Sequence, residues 1–177
     1  MRGARPGKRL LLLRHAKSSW DDVGLDDFHR PLSGRGRKAA ARIGRLLSEE
    51  ALVPDLVLCS AAARAVETWT QAAAELGAPP PVRHLKSLYL ASPSRILGVL
   101  RRLGDEVGTA LAVGHNPGLQ QLALLLAGAD GGGAWDRLAT KFPTAALAEI
   151  ALPIASWSGL AHGAGRLARL VLPRELD

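Results

Sequence analysis

The chain has 177 residues, of which 47% are hydrophobic and 4% aromatic, so a single domain over 1–177 can bury a core of aliphatic side chains and alanine. A charged share of 22% argues against extensive disorder, and the formal net charge of +7 favours anionic partners. The basic residues are spread along the chain without a long Lys/Arg run or interleaved aromatics, so nothing points to a nucleic-acid groove, and small phosphorylated substrates or acidic protein faces are the first reading.

Met1 to Arg9 followed by leucines mimics a signal peptide, yet the apolar stretch stops at Arg14 and is too short for one. No stretch reaches the length of a membrane span, and a lone cysteine excludes an internal disulfide. These features predict a cytoplasmic protein with residues 1–7 as a flexible tail. Leu10 to Leu13, bounded by basic residues, then reads as a short strand buried on both faces, typical of a central parallel strand. It runs into Arg14, His15, Lys17 and Ser18, at the carboxyl end of the strand, where open α/β sheets bind ligands. An ordinary solvated turn is the alternative, and these residues alone do not separate the two.

Trp20 to Leu32 is loop-like and carries Asp21, Asp22, Asp26, Asp27, His29 and Arg30. Ser33 has the chemistry of an N-cap, and Ala39, Ile43, Leu46 and Leu47 recur at helical spacing until Pro54-Asp55. Leu56 to Cys59 is a second apolar strand. Ser60 is expected to cap a helix with a stripe of Ala62, Val66, Trp69, Ala73 and Leu76, ending at Gly77. Arg64 and Thr68 stand one turn apart, away from that stripe. A cation near a helix N-terminus opposes the macrodipole, and a bound anion there would remove the conflict.

After Pro79-Pro80-Pro81, a strand is expected over Val82 to Leu85, a loop through Pro93 and a helix from about Ser94 to Leu103. Thr109 to Val113 reads as a buried strand leading into Gly114-His115-Asn116-Pro117-Gly118, with Asn116 as cap and Pro117 at the first helical position. Leu119, Leu122, Ala123 and Leu126 form the buried face of that helix, which Gly128 ends. Gly131 to Gly133 reads as a hinge or loop; no Lys-Ser follows it, so it is not a phosphate-cradling P-loop. Ala145 to Leu152 and Leu167 to Leu172 read as late strands. The alternation predicts a three-layer α/β/α sandwich around a mostly parallel sheet.

Three strand-to-helix junctions carry polar side chains: Arg14-His15, Ser60 with Arg64, and Gly114-His115-Asn116. If the strands are parallel, two histidines and two arginines meet at one edge. Guanidinium forks can bond the oxygens of a phosphoryl group bidentately. A neutral imidazole can attack its phosphorus, and nearby cations help to keep that imidazole neutral near pH 7.

Leu12 to Ser18 resembles the opening Arg-His motif of the histidine phosphatase superfamily, Ser60 to Thr68 its second motif, and Val113 to Pro117 its third. Arg30 to Gly34, Leu88 to Ser92 and Lys141 to Ala145 further resemble the short bacterial SixA-type phosphohistidine phosphatase branch. The resemblance implies a phosphoglycerate mutase-like fold and a phosphatase that forms a phosphohistidine intermediate on His15. Arg14, Arg64 and His115 would then be catalytic and bind phosphoryl oxygens, with Lys17 and Ser18 as further phosphate-binding candidates. It implies a phosphorylated substrate, with a phosphohistidine-containing signalling protein as the favoured one, and no cofactor.

Larger members carry a general-acid glutamate after the third strand, but Leu88 to Pro93 contains no carboxylate; Asp21, Asp22 and Asp26 are the substitutes in reach of sequence reasoning. Metal binding is not expected, since none of the five histidines pair at i, i+4 and the lone cysteine offers no cluster. Three rivals share the same residues. Cys59 to Arg64 resembles the phosphate loop of cysteine phosphatases, although its cysteine and arginine are one residue too close and it lacks glycines. A broad phosphomonoesterase of the same superfamily and a phosphate-binding module without turnover are the others.

Overall fold

The computed structural model describes residues 7–129 and 132–176. The expected tail therefore falls, apart from Gly7, outside the described residues. The described chain forms a six-stranded sheet of β1 (Lys8–Arg14), β2 (Leu56–Ser60), β3 (Val82–Leu85), β4 (Thr109–Gly114), β5 (Leu147–Leu152) and β6 (Arg166–Val171), in the order β3-β2-β4-β1-β5-β6. The β3, β2, β4 and β1 strands pair in parallel; β5 runs antiparallel to both β1 and β6.

The four leucines of β1 explain its central place. All are fully buried, and their alternation sends Leu10 and Leu12 into one core and Leu11 and Leu13 into the other. Each such side chain contributes roughly 1.5–3 kcal/mol through burial. The Leu11 face is covered by α1 (Gly34–Glu49) and α2 (Ala63–Ala73). The Leu10 face is covered by α3 (Pro93–Leu100), α4 (Gly118–Ala127) and α5 (Gly133–Thr140). The result is the expected three-layer sandwich. No helix among the described residues is long and apolar enough to cross a membrane.

Several local expectations are corrected. Ser60 does not cap α2: it is the last residue of β2, paired with Leu85, and α2 begins after Ala62 without a side-chain cap. The buried face of α2 is Ala65, Trp69 and Ala72 together with Arg64 and Thr68, while Val66 and Ala73 are half-buried. Arg64 and Thr68 turn inward, although the apolar residues of the helix by themselves place them off its buried face. The α3 helix stops at Leu100, and β5 starts at Leu147 because Ala145 turns the chain at φ 60. Of the glycine run, Gly131 lies outside the described residues and Gly133 opens α5, whose short apolar pattern (Trp135, Leu138) the glycines masked.

Close backbone approach sets the spacing of the helices on the Leu11 face. A Cβ on Gly44 of α1 would collide with the Ala72 carbonyl oxygen of α2, and one on Gly36 with the Lys17 carbonyl oxygen just past β1. Gly44→Ala should lower stability by about 1–3 kcal/mol through overpacking, even though alanine is worth about 1 kcal/mol more than glycine inside a helix. A urea titration gives the test: an unchanged or raised midpoint would show that α1 and α2 separate without cost.

Candidate active site

Because β2, β4 and β1 are adjacent and parallel, their carboxyl ends share one edge. Arg14 ends β1 and His15 follows; Ser60 ends β2 and Arg64 lies in the first turn of α2; Gly114 ends β4 and His115 follows. The His15 and His115 rings come to 5.2 Å between centroids.

His15 is buried, and its Nδ1 lies 2.7 Å from the Ala16 carbonyl oxygen. A carbonyl can only accept, so Nδ1 carries the proton and the neutral ring presents its lone pair at Nε2. The Arg64 Nε–H donates to that atom at 3.3 Å. The pKa of His15 is lowered to about 4, first by burial and then by the positive charges of Arg64, Arg14 and Arg30, against the bond to Ala16. For His115 burial, then His15 and Arg64, lower it to about 3. Its Nε2 meets the Ser60 hydroxyl at 2.7 Å, while its buried Nδ1 has no partner in the protein among the described residues. Arg14 donates from Nη1 to the Phe142 carbonyl at 3.0 Å, and its buried Nε is likewise unpartnered. Two unsatisfied buried nitrogens beside two neutral imidazoles suit an anionic ligand with several acceptor oxygens.

Arg64 is a nearly fully buried cation at a helix start, where it opposes the macrodipole. One aspartate answers it. Asp27, in the short 3-10 turn Asp27–His29, accepts from Arg64 Nη1 through its carbonyl at 2.7 Å and from Nη2 through Oδ2 at 2.9 Å. The Tyr89 hydroxyl donates to the same Oδ2 at 2.5 Å, and Arg30 Nη2 to Oδ1 at 2.9 Å. These bonds hold the Asp27 carboxyl well below the usual carboxylate range. The Arg30 guanidinium also stacks 3.7 Å over the Trp20 ring, which ties the loop across the site.

The structure thus brings together Arg14, His15, Arg64 and His115. It does not gather the remaining candidates with them. Lys17 is exposed and lines a separate groove against α1 and α5, and the Ser18 hydroxyl accepts from Arg30 Nη1. Asp21 and Asp22 are exposed, with Asp22 accepting from the Gly24 N–H, and Asp26 caps the 3-10 turn and meets His29 Nδ1 at 2.6 Å. None of those three is the carboxylate that reaches the cluster. Asp27 and Tyr89 belong to the site, although the sequence does not single them out. The available signals were the position of Asp27 three residues before Arg30 and the Leu88 to Ser92 segment that contains Tyr89. Cys59 is fully buried in β2, and burial pushes its thiol up to about 12, so it offers no thiolate and the cysteine-phosphatase reading falls. Among the described residues there is no group of three His, Cys, Asp or Glu side chains able to hold a metal.

Residues 10–89, which span Arg14, His15, Asp27, Arg64 and Tyr89, match the family model of the histidine phosphatase superfamily (branch 1). The chain belongs to the histidine phosphatase superfamily. An uncharacterised Mycobacterium tuberculosis protein is 37% identical to this histidine phosphatase over 164 residues, covering 92% of this chain and 100% of that protein. Among solved structures, the candidate phosphohistidine phosphatase SixA from Nakamurella multipartitia is 27% identical with a TM-score of 0.83, covering 96% of this chain and 99% of that one. The candidate SixA of Agrobacterium tumefaciens is 28% identical with a TM-score of 0.77 over the same shares. The α/β architecture of this histidine phosphatase is therefore that of the superfamily, and its class of chemistry is phosphoryl hydrolysis.

Both imidazoles should stay neutral in the free enzyme well below pH 6.5. Since the unfolded chain takes up these protons near 6.5 and the folded chain only at about 4 and about 3, stability is full above 6.5 and falls as pH drops below it. Imidazole resonances followed by NMR should show neither ring protonating above about pH 5. Titration of His15 near 6.5 would contradict the site electrostatics described here.

Proposed function

We propose that this histidine phosphatase removes the phosphoryl group from phosphohistidine in a cytoplasmic signalling protein, with His15 as the nucleophile. The observation that carries the reading is the His15 ring itself: its tautomer is set by Ala16, its protonation is suppressed by burial and three arginines, and its Nε2 lone pair accepts from the Arg64 Nε–H at 3.3 Å. The His15 Nε2 attacks phosphorus, the new N–P bond forms, and the substrate's P–N bond breaks with its electron pair going to the departing imidazole. Water then attacks the phosphorylated His15, inorganic phosphate leaves, and the lone pair returns to Nε2. Arg64 Nε–H, which now rests on that lone pair, is positioned to pass to a phosphoryl oxygen as the bond forms. The unpartnered Arg14 Nε and His115 Nδ1 supply further contacts to the oxygens, where negative charge must be stabilised in the transition state.

The leaving group decides the substrate class. Asp27, the carboxylate bonded into the cluster, is held ionised by Tyr89, Arg30 and Arg64 and has no proton to give. An alkyl phosphate expels an alkoxide, which needs a general acid worth roughly 10²–10⁴-fold in rate. A phosphohistidine protonated on its far nitrogen by solvent leaves as neutral imidazole and needs none. Similarity to proteins described as phosphohistidine phosphatases supports the same substrate.

The test is a hydrolysis panel of a phosphohistidine protein, aryl phosphates and alkyl phosphates. We expect kcat/KM to fall steeply with leaving-group pKa, and His15→Ala to abolish turnover of every substrate while keeping the fold. Equal rates across the panel in a chemistry-limited regime would instead favour the broad phosphomonoesterase reading, and turnover surviving in His15→Ala would remove the nucleophile. Arg64→Lys keeps the charge but loses the three N–H bonds to His15 and Asp27, so kcat/KM should drop by about 10²-fold or more. Wild-type kinetics in that variant would take Arg64 out of the site.

A further inference from the structure

A second concavity of about 900 Å³ lies between α1, α5 and the end of β6, apart from the histidine cluster. Its lining carries Lys17, Arg35, Lys38, Arg42, Arg137, Lys141 and Arg174 against a single acidic side chain, Asp136. Arg137 pairs with Glu175, but Lys17, Arg35, Lys38, Arg42 and Lys141 have no ion-pair partner among the described residues. Arg35, Lys38 and Arg42 follow the i, i+3, i+7 spacing of one helical face, so α1 presents them as a row. Between the charged rims lie Ala39, Pro143 and Pro173 with the hydroxyls of Thr140 and Thr144, over the buried Leu170 and Leu172.

The groove shares supporting backbone with the active site. Lys17 is two residues past His15. Pro143 and Thr144 lie between Phe142, whose carbonyl holds Arg14, and Ala145, whose N–H donates to the Arg14 and His15 carbonyls at 3.1 Å. The groove and the cluster are therefore built on the same two segments of chain, residues 14–17 and 142–145.

We infer that this groove docks an acidic amphipathic helix of the phosphorylated partner protein, the apolar face of the helix on Ala39, Pro143 and Pro173 and its carboxylates against the α1 row and Lys141. The inference rests on the phosphohistidine-protein reading for the identity of the partner, but the groove's occupancy can be measured apart from it. The volume is that of roughly two turns of a helix about 10 Å across. Nucleic acid fits less well, because the lining has no aromatic ring on which a base could stack and its floor is aliphatic. A membrane surface does not fill a concavity. Unpaired like charges facing one groove attract an acidic partner over a Debye length and raise its encounter rate.

The test uses the full chain and Arg35→Glu/Arg42→Glu, two positions outside the cluster and without an ion-pair partner among the described residues; Arg35 lies in the first turn of α1, where the macrodipole favours a glutamate, Arg42 lies mid-helix, and circular dichroism with a urea titration checks that the double variant folds. Two fluorescent peptides of identical composition serve as probes, one with glutamates and leucines on opposite helical faces and one scrambled. We expect the amphipathic peptide to bind the wild-type chain in a salt-sensitive manner, and at least about tenfold less tightly after the double reversal, as two lost ion pairs and two new repulsions require. The scrambled peptide should bind about tenfold less tightly than the ordered one. For a phosphohistidine protein with an acidic helical face, the variant should raise KM about tenfold with kcat held, while free phosphohistidine is hydrolysed as by wild type. Equal binding of the two peptides, unchanged binding by the variant, or displacement of the peptide by an RNA hairpin at lower concentration would each overturn the docking site. If wild type fails on the phosphohistidine protein, the proposed substrate falls, and the peptide comparison still decides the groove.

Discussion

The Asp27 carboxylate holds this site in one piece. Two arginines and two imidazoles packed at one sheet edge would repel one another if all were charged, and Arg64 also opposes the dipole of its own helix. Asp27 answers Arg64 through two atoms and Arg30 through a third, and Tyr89 completes its shell. With its terminal nitrogens occupied in this way, Arg64 can turn its Nε–H onto His15. Removing the carboxylate would leave a buried guanidinium without compensation, which is costly wherever it occurs. The loop carrying Asp27 is itself tied down from α2, where Glu67 accepts from the Leu32 N–H at 2.9 Å.

The same electrostatics divide the labour among the titratable groups. The buried imidazoles stay neutral, which leaves a lone pair on each ring, whereas the carboxylate keeps its charge. A site so arranged has a ready lone pair and several hydrogen-bond donors, and the carboxylate bonded into it carries no proton. Its chemistry is matched to leaving groups that need little help. On the proposed phosphohistidine reading, an ionised carboxylate that would be a defect in a general phosphomonoesterase becomes a source of selectivity.

Charge is distributed on two scales. Within the cluster, the buried Arg64 is compensated by Asp27, and the half-buried Arg14 is bonded to the Phe142 carbonyl. In the groove, positive groups are exposed, spread along α1 and the segment around Lys141, and mostly uncompensated. The first arrangement suits a small dianion held at short range and the second a larger acidic surface approached through solvent. Gly36, which lets α1 press against the Lys17 backbone, is where the two meet.

Much of this was legible in the residues. Leu10 to Leu13 identified the central strand, because a run of four buried leucines bounded by charges has no comfortable place at a sheet edge. The junctions after β1, β2 and β4 carried their histidines and arginines openly, and parallel pairing was enough to bring them together. Ser60, Asp27, Tyr89 and the basic groove were different. Ser60 has the chemistry of an N-cap, and local propensity could not reveal that β2 continues one residue further to pair with Leu85 and turn the hydroxyl toward His115. Asp27 was one of four aspartates in an exposed loop, alike in sequence, and it was distinguished from Asp21, Asp22 and Asp26 by which of them folds back over α2. Strand and helix periodicity is a property of neighbours along the chain, and the sequence by itself determined the layers and the four nitrogen-bearing side chains at their edge. The carboxylate that makes their cluster possible, and the alignment of α1 with Lys141, depend on contacts between residues far apart in sequence, which come into existence when the chain folds.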